Sequence, residues 1–376
     1  FPFIWNCVKE GLQVAAKNYN AIHSIAIDTF SPDSCFIDEL GKLPYSMPSY
    51  HNMLGTSILD RILSQISLEQ FYEITGTRPF EILLLPQLLL LMEKGRRDFL
   101  ARNKFVPLSN SLAYLLCGNL SLDFTIASIS MMWDQKRYEF SRYISDAFLP
   151  TMDFLPTLID NRSVIGGLSK TIQNQLSLTS LKIINSGSHD TAVATSFLEI
   201  KAKGQICISS GTWSSIGVVR DTPLVNKTVI GEELTNYGLP DGRYMLCKLI
   251  PGLYFVQEIR NVLNIQSDQE FTFENLSYLA SKSNYPHFAD LSSQILTMIE
   301  STILQRIVEY FKQKQLAPPE TPGDFVRCIY RSIAEEYRTV INSIGLATKK
   351  KYSQIYIGGG AVNDVFFCQL ISDVTD

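Results

Sequence analysis

The sequence predicts an α/β protein of two domains with a cleft between them, and three observations predict it. The chain has 376 residues, 45% hydrophobic and 19% charged. That exceeds what one core usually organises, since single cores stop growing near about 250–300 residues. Strand-like runs and long helical stretches also alternate in both halves. Finally, the pattern shifts around residues 195–204, which sets the expected domains at 1–195 and 196–376.

The first element is a helix over residues 4–16, where Ile4, Val8, Leu12 and Ala15 recur at helical spacing. Ser24-Ile25-Ala26-Ile27-Asp28 reads as a strand, the Pro-containing Ser31-Pro32-Asp33 as a turn, and Cys35-Phe36-Ile37 as a second strand. From 59 to about 116, Leu, Ile and Met fall at i, i+3 and i+4, so mostly helix is expected. Lys182-Ile183-Ile184-Asn185 is strand-like, followed by a turn and a small-residue helix over 191–198. Residues 205–209 and 215–219 read as two strands of a hairpin. A helical block follows from 249 into the 340s. Gln354-Ile355-Tyr356-Ile357 is a last strand, leading through three glycines into a helix over 365–371.

Composition narrows the function classes. A net charge of -4 and a pI near 5.7 leave no basic footprint for nucleic acid, so a small molecule or a protein is the expected partner. The seven cysteines are dispersed, without a CxxC pair or a Cys/His cluster. Such a set reads as free thiols in a reducing cytoplasm. The most apolar run, 82–92, is interrupted by Pro86 and Gln87. It is shorter than the roughly 20 residues a membrane span requires, and is expected to start a buried helix.

Three loops could carry chemistry. Gly187-Ser188-His189-Asp190-Thr191-Ala192 is a strand-to-helix turn. Its Ser and Asp suit helix capping. Equally, a carboxylate there can accept a proton from a substrate hydroxyl, with His189 and Thr191 hydrogen-bonding its neighbours. Ser209-Ser210-Gly211-Thr212-Trp213-Ser214 is a hairpin turn whose N–H and O–H donors suit phosphate oxygens. The alternative is an ordinary Ser/Gly turn with Trp213 as a core anchor. Gly358-Gly359-Gly360 permits close approach of a ligand at a helix start, or simply tight packing. It is neither a Walker A loop nor a GxGxxG turn.

In this order the three loops resemble those of the FGGY carbohydrate kinases and, within them, rhamnulokinases. The resemblance extends to Ile27-Asp28-Thr29-Phe30, to Asn236-Tyr237-Gly238, to Gly242-Arg243-Tyr244, to Gly252-Leu253-Tyr254 with Gln257, and to Asn363 after the glycines. It implies two actin-like (ribonuclease-H-like) ATPase domains and ATP-dependent phosphorylation of a ketose hydroxyl, with Mg2+. L-rhamnulose is the implied sugar. By the same resemblance Asp190 is the proton acceptor, and His189, Asp190, Thr191 and the position of Ser31 contact the sugar. Thr212, Gln257, Gly359 and Gly360 contact the nucleotide. Phosphoryl transfer needs positioning and charge neutralisation, and a carboxylate can take the hydroxyl proton.

The departures cluster on the sugar side. Ser31 stands where the family has Gly, Tyr50-His51-Asn52 where it has Tyr-Arg-Asp, and Leu249 where rhamnulokinases have Asn. Losing a hydrogen-bonding partner can shift selectivity by orders of magnitude. L-fuculose or another ketose, or a non-catalytic sugar- or nucleotide-binding relative, therefore stand as alternatives. A chaperone-like ATPase fits the His189-Asp190-Thr191 loop poorly. The family's opening Asp- and Gly-containing hairpin and its last strand and helices have no counterpart here. The expectation is either part of a longer protein or a chain nearly inactive alone.

Overall fold

In the computed structural model, the residues described are 1–19, 21–43, 45–46, 49, 57–94, 97–176, 178, 181–267, 270–297 and 302–375. They form two compact units, Phe1–Phe197 with Arg220–Leu246, and Leu198–Val219 with Cys247–Asp376. Segment 220–246, in the second half of the sequence, folds with the first unit. Asn236 shows why. Its backbone N–H and its side-chain amide both donate to Gly76 O, at 2.9 and 2.8 Å, and its Oδ1 accepts from Leu224 N–H at 2.9 Å. A buried Asn whose amide is fully satisfied in this way ties the two stretches together.

In the first unit, the helix Pro2–Asn18 starts with Pro at its first turn, where a missing N–H costs nothing. Strand Ser24–Ala26 pairs in parallel with Lys182–Ile184, which pairs antiparallel with Val164–Gly167. A second sheet joins Ser34–Ile37 to Tyr45–Ser46 and to Lys104–Pro107. The strand at 104–107 interrupts the mostly helical stretch expected over 59–116. Helices Ser57–Gln65, Leu68–Thr75, Leu84–Glu93, Arg97–Arg102 and Leu108–Cys117 surround it. The apolar spacing of Phe105 and Val106 satisfies either period, and pairing with Phe36 and Cys35, 69 to 71 residues away, decides for strand. The 82–92 run does form a buried helix, Leu84–Glu93. Its Leu85, Leu88 and Leu89 pack in a cluster with Phe36, Phe71 and Met131.

In the second unit, Ile206–Ser210 is antiparallel to Trp213–Arg220 and parallel to Ile355–Gly358. The 27-residue helix Pro322–Thr348 reaches this sheet's hairpin through Tyr337. Thr321 and Asp324 form a capping box at its start, and Lys349 closes it in the left-handed region. Its buried face includes Val326, Ile329, Ile333 and Tyr337. No helix among the described residues is long and apolar enough to cross a membrane.

Candidate functional site

The Asp190 loop is built from the first unit. Thr29 N–H donates to Ser188 O at 3.0 Å and Asp190 N–H to Thr29 O at 3.1 Å, extending the parallel pairing of the two strands past their ends. Gly187, at φ 97°, makes the sharp turn that precedes them. Its N–H donates to Asn185 Oδ1 at 3.2 Å, and Ser188 Oγ donates to Asn110 Oδ1 at 2.9 Å. Asp190 then opens the helix Asp190–Ala202.

Asp190 is half-exposed, and its Oδ1 accepts from the N–H and the hydroxyl of Thr191. None of the described residues hydrogen-bonds its Oδ2. One oxygen thus serves the helix start, while the other has no hydrogen-bond partner among the described residues. His189 is buried, with Nε2 3.9 Å from Asp190 Oδ1 and its ring edge-on to Tyr237. Burial pushes its imidazole below the usual range, against the pull of Asp190 and Asp123, which favours the neutral ring. Asp28, one residue before the bridge, is held above the usual carboxyl range by burial and then by the charge of Asp190. Ser31 sits in the turn just beyond, beside Leu83, Leu84 and Ile129. Residues Tyr50, His51 and Asn52 lie outside the described residues.

Three of the four predicted nucleotide contacts meet in the second unit, and Gly359 is not among the residues lining their cavity. Thr212, Gln257 and Gly360 line a cavity of about 890 Å³ with Arg260, Phe273 and Phe366. Its floor is made of backbone. Gly211 O accepts from Leu253 N–H at 2.8 Å, and Thr212 O accepts from Gly252 and Tyr254 N–H at 2.9 and 3.2 Å. A Cβ on Gly252 would lie 2.6 Å from Gly211 O, and one on Gly359 would fall inside the contact distance of Ser210 O. The hairpin, the start of helix Tyr254–Gln266 and the glycine turn thus pack closely at Gly252 and Gly359, where side chains would not fit. Trp213 is 45% exposed on the hairpin, so the core-anchor reading fails. Leu249 is also part-exposed, on strand Tyr244–Pro251.

Sequence reasoning missed the supports. Tyr337 OH lies 2.8 Å from Ser210 Oγ and 2.7 Å from Ser214 Oγ, all three buried, bridging both arms of the hairpin. Asp364 accepts from Ser277 Oγ at 2.8 Å, Tyr330 OH at 2.6 Å and Phe367 N–H at 2.9 Å, fixing the cavity wall. A Tyr inside a long amphipathic helix carries no sequence signal of such a role. Tyr337→Phe is expected to cost about 1–3 kcal/mol, because two buried hydroxyls lose a partner. Chemical denaturation of the variant checks this.

The comparisons with known proteins fit this arrangement. The model for the FGGY family of carbohydrate kinases, N-terminal domain, matches residues 2–196, and its C-terminal domain matches 206–376. The chain belongs to the FGGY carbohydrate kinases. This kinase is 27% identical to a rhamnulokinase of Oceanobacillus iheyensis, over 99% of the chain and 78% of that protein. It is 26% identical to a rhamnulokinase of Bacillus subtilis, over 98% and 74%. Among solved structures, a ligand-bound xylulose kinase from Lactobacillus acidophilus superposes with a TM-score of 0.75 at 15% identity, covering 100% of the kinase and 75% of that chain. Plasmodium falciparum glycerol kinase with ADP gives 0.75 at 16%, covering 99% and 74%. The fold is therefore the two-domain FGGY fold, and the protein is a phosphotransferase that phosphorylates a sugar with ATP.

Proposed function

We propose that this kinase transfers the γ-phosphoryl group of ATP to L-rhamnulose, giving L-rhamnulose 1-phosphate, a step of rhamnose catabolism, with Asp190 as the base. The free Oδ2 of Asp190, on a carboxylate half-exposed at a strand end, carries the reading. That oxygen can accept the proton of the attacking hydroxyl as the new P–O bond forms. His189 and Thr191 would hold the neighbouring hydroxyls. Thr212 and the backbone of Gly359 and Gly360 would contact the phosphates, and Gln257 the nucleotide.

Mg2+ would accompany the nucleotide. The ion usually takes one or two carboxylates plus phosphate oxygens, rather than a cage built by the protein. Among the described residues no group of three or more possible ligands gathers. Asp28, whose carboxyl lies within reach of the charge of Asp190, is a hard oxygen donor that would hold it, and the ion would neutralise phosphate charge.

The choice of sugar rests on the rhamnulokinase relatives. Ser31 and Leu249 favour a second reading, L-fuculose, because each replaces a residue expected to contact the sugar. A coupled ADP-release screen of the full-length protein over L-rhamnulose, L-fuculose, L-xylulose, D-xylulose and glycerol separates them. The highest kcat/KM is expected with L-rhamnulose. A higher value with any other sugar rejects that assignment, and binding without turnover on all five rejects the base.

A further inference from the structure

We infer that Thr125, backed by Asp123, is a positioning residue for the reaction: it holds the backbone of the 188–190 loop so that Asp190 meets the sugar. This rests on the reading of Asp190 as the base. A hydroxyl has one proton and two lone pairs, and the Thr125 hydroxyl uses all three. It accepts from Ser188 N–H at 3.0 Å and from His189 N–H at 3.1 Å, and donates to Asp123 Oδ1 at 2.5 Å.

These are the two residues before Asp190. Their N–H groups are buried with the loop, and buried backbone donors without partners are rare and costly. Aiming both at one oxygen fixes the direction of the chain as it enters Asp190, whose own N–H is tied to Thr29. The methyl of Thr125 lies beside Gly187, 3.2 Å from where a Cβ of that residue would stand.

The support is itself rigid. Thr125 and Asp123 are both 0% exposed. Asp123 also accepts the Thr125 N–H at 2.8 Å, capping the short helix Phe124–Ala127. Behind that helix, Phe124 packs against Tyr244 and against the face of Gly238, where a Cβ would collide with its ring. Gly238 N–H donates to Ser128 Oγ at 2.7 Å. A displacement of about 1 Å in a reacting group can cost about 10²-fold in rate, so a residue that never touches the sugar can still control turnover.

The test compares Thr125→Val, which keeps the volume and removes the hydroxyl, with Thr125→Ser, which keeps the hydroxyl and removes the methyl. In the full-length protein, Thr125→Val is expected to lower kcat about 100-fold with the KM for ATP unchanged, while Thr125→Ser stays near wild type. Equal kcat values for the two variants overturn the inference, as does a loss in Thr125→Val that merely tracks the folded fraction. Should Thr125→Val not fold, Asp123→Asn decides, because its amide oxygen still accepts both bonds but more weakly. A drop in kcat of about tenfold at constant ATP KM supports the role, and no drop rejects it. Asp190→Asn is run alongside. If it turns over normally, the base assignment fails, and if it is inactive while Thr125→Val is normal, only the present inference fails.

Discussion

Asp190→Asn is expected to reduce kcat by about 10²–10⁴-fold, the usual contribution of a positioned base, while the fold and ATP affinity persist. The substitution keeps the shape of the side chain and leaves an oxygen to accept from Thr191, so the start of helix Asp190–Ala202 is preserved. Only proton acceptance is removed. Because the side chain is half-exposed, the melting temperature is expected to change little. Steady-state kinetics on L-rhamnulose, with calorimetric ATP titration of the same variant, check both halves. Wild-type kcat in a folded variant would falsify the assignment.

Gly359→Ala is expected to weaken ATP binding by at least about tenfold and to lower stability by about 1–3 kcal/mol, the cost of a strained backbone position. Gly359 has φ 92° and ψ -169°, a conformation reached almost only by glycine. The added Cβ would also meet Ser210 O, an atom of the strand carrying the hairpin. Relief requires the glycine turn and the hairpin to separate, and they form the floor on which the phosphates are proposed to lie. A loss of about 1.4 kcal/mol in binding corresponds to tenfold in affinity. The neighbouring Gly360→Ala is the contrast, since nothing lies within 4 Å of its Cβ position. It is expected to bind ATP nearly as wild type. Equal behaviour of the two variants in an ATP titration would reject the packing account.

Several features were legible in the residues because they depend on local chemistry. The strand–turn–helix at 182–202, the Ser/Gly hairpin at 206–220 and the strand–glycine–helix at 355–375 all form where periodicity and turn residues place them. Both readings of Asp190 were available from the sequence, and so was the gathering of Thr212, Gln257 and Gly360, through their order along the chain. The glycine turn was legible because a requirement for positive φ leaves a residue-level mark.

Tertiary structure decided the rest. The strand Lys104–Pro107 looks helical until it finds Ser34–Ile37. Segment 220–246 follows 22 residues of the second unit in sequence, yet Asn236 anchors it to Gly76 in the first. Thr125 and Tyr337 read as an ordinary Thr near a short helix and an ordinary core Tyr, but each hydroxyl spans a loop 63 to 127 residues distant. The physical reason is common to all four. Local sequence specifies backbone propensity and turn chemistry, whereas strand pairing and the satisfaction of buried polar groups depend on partners that only the folded chain supplies.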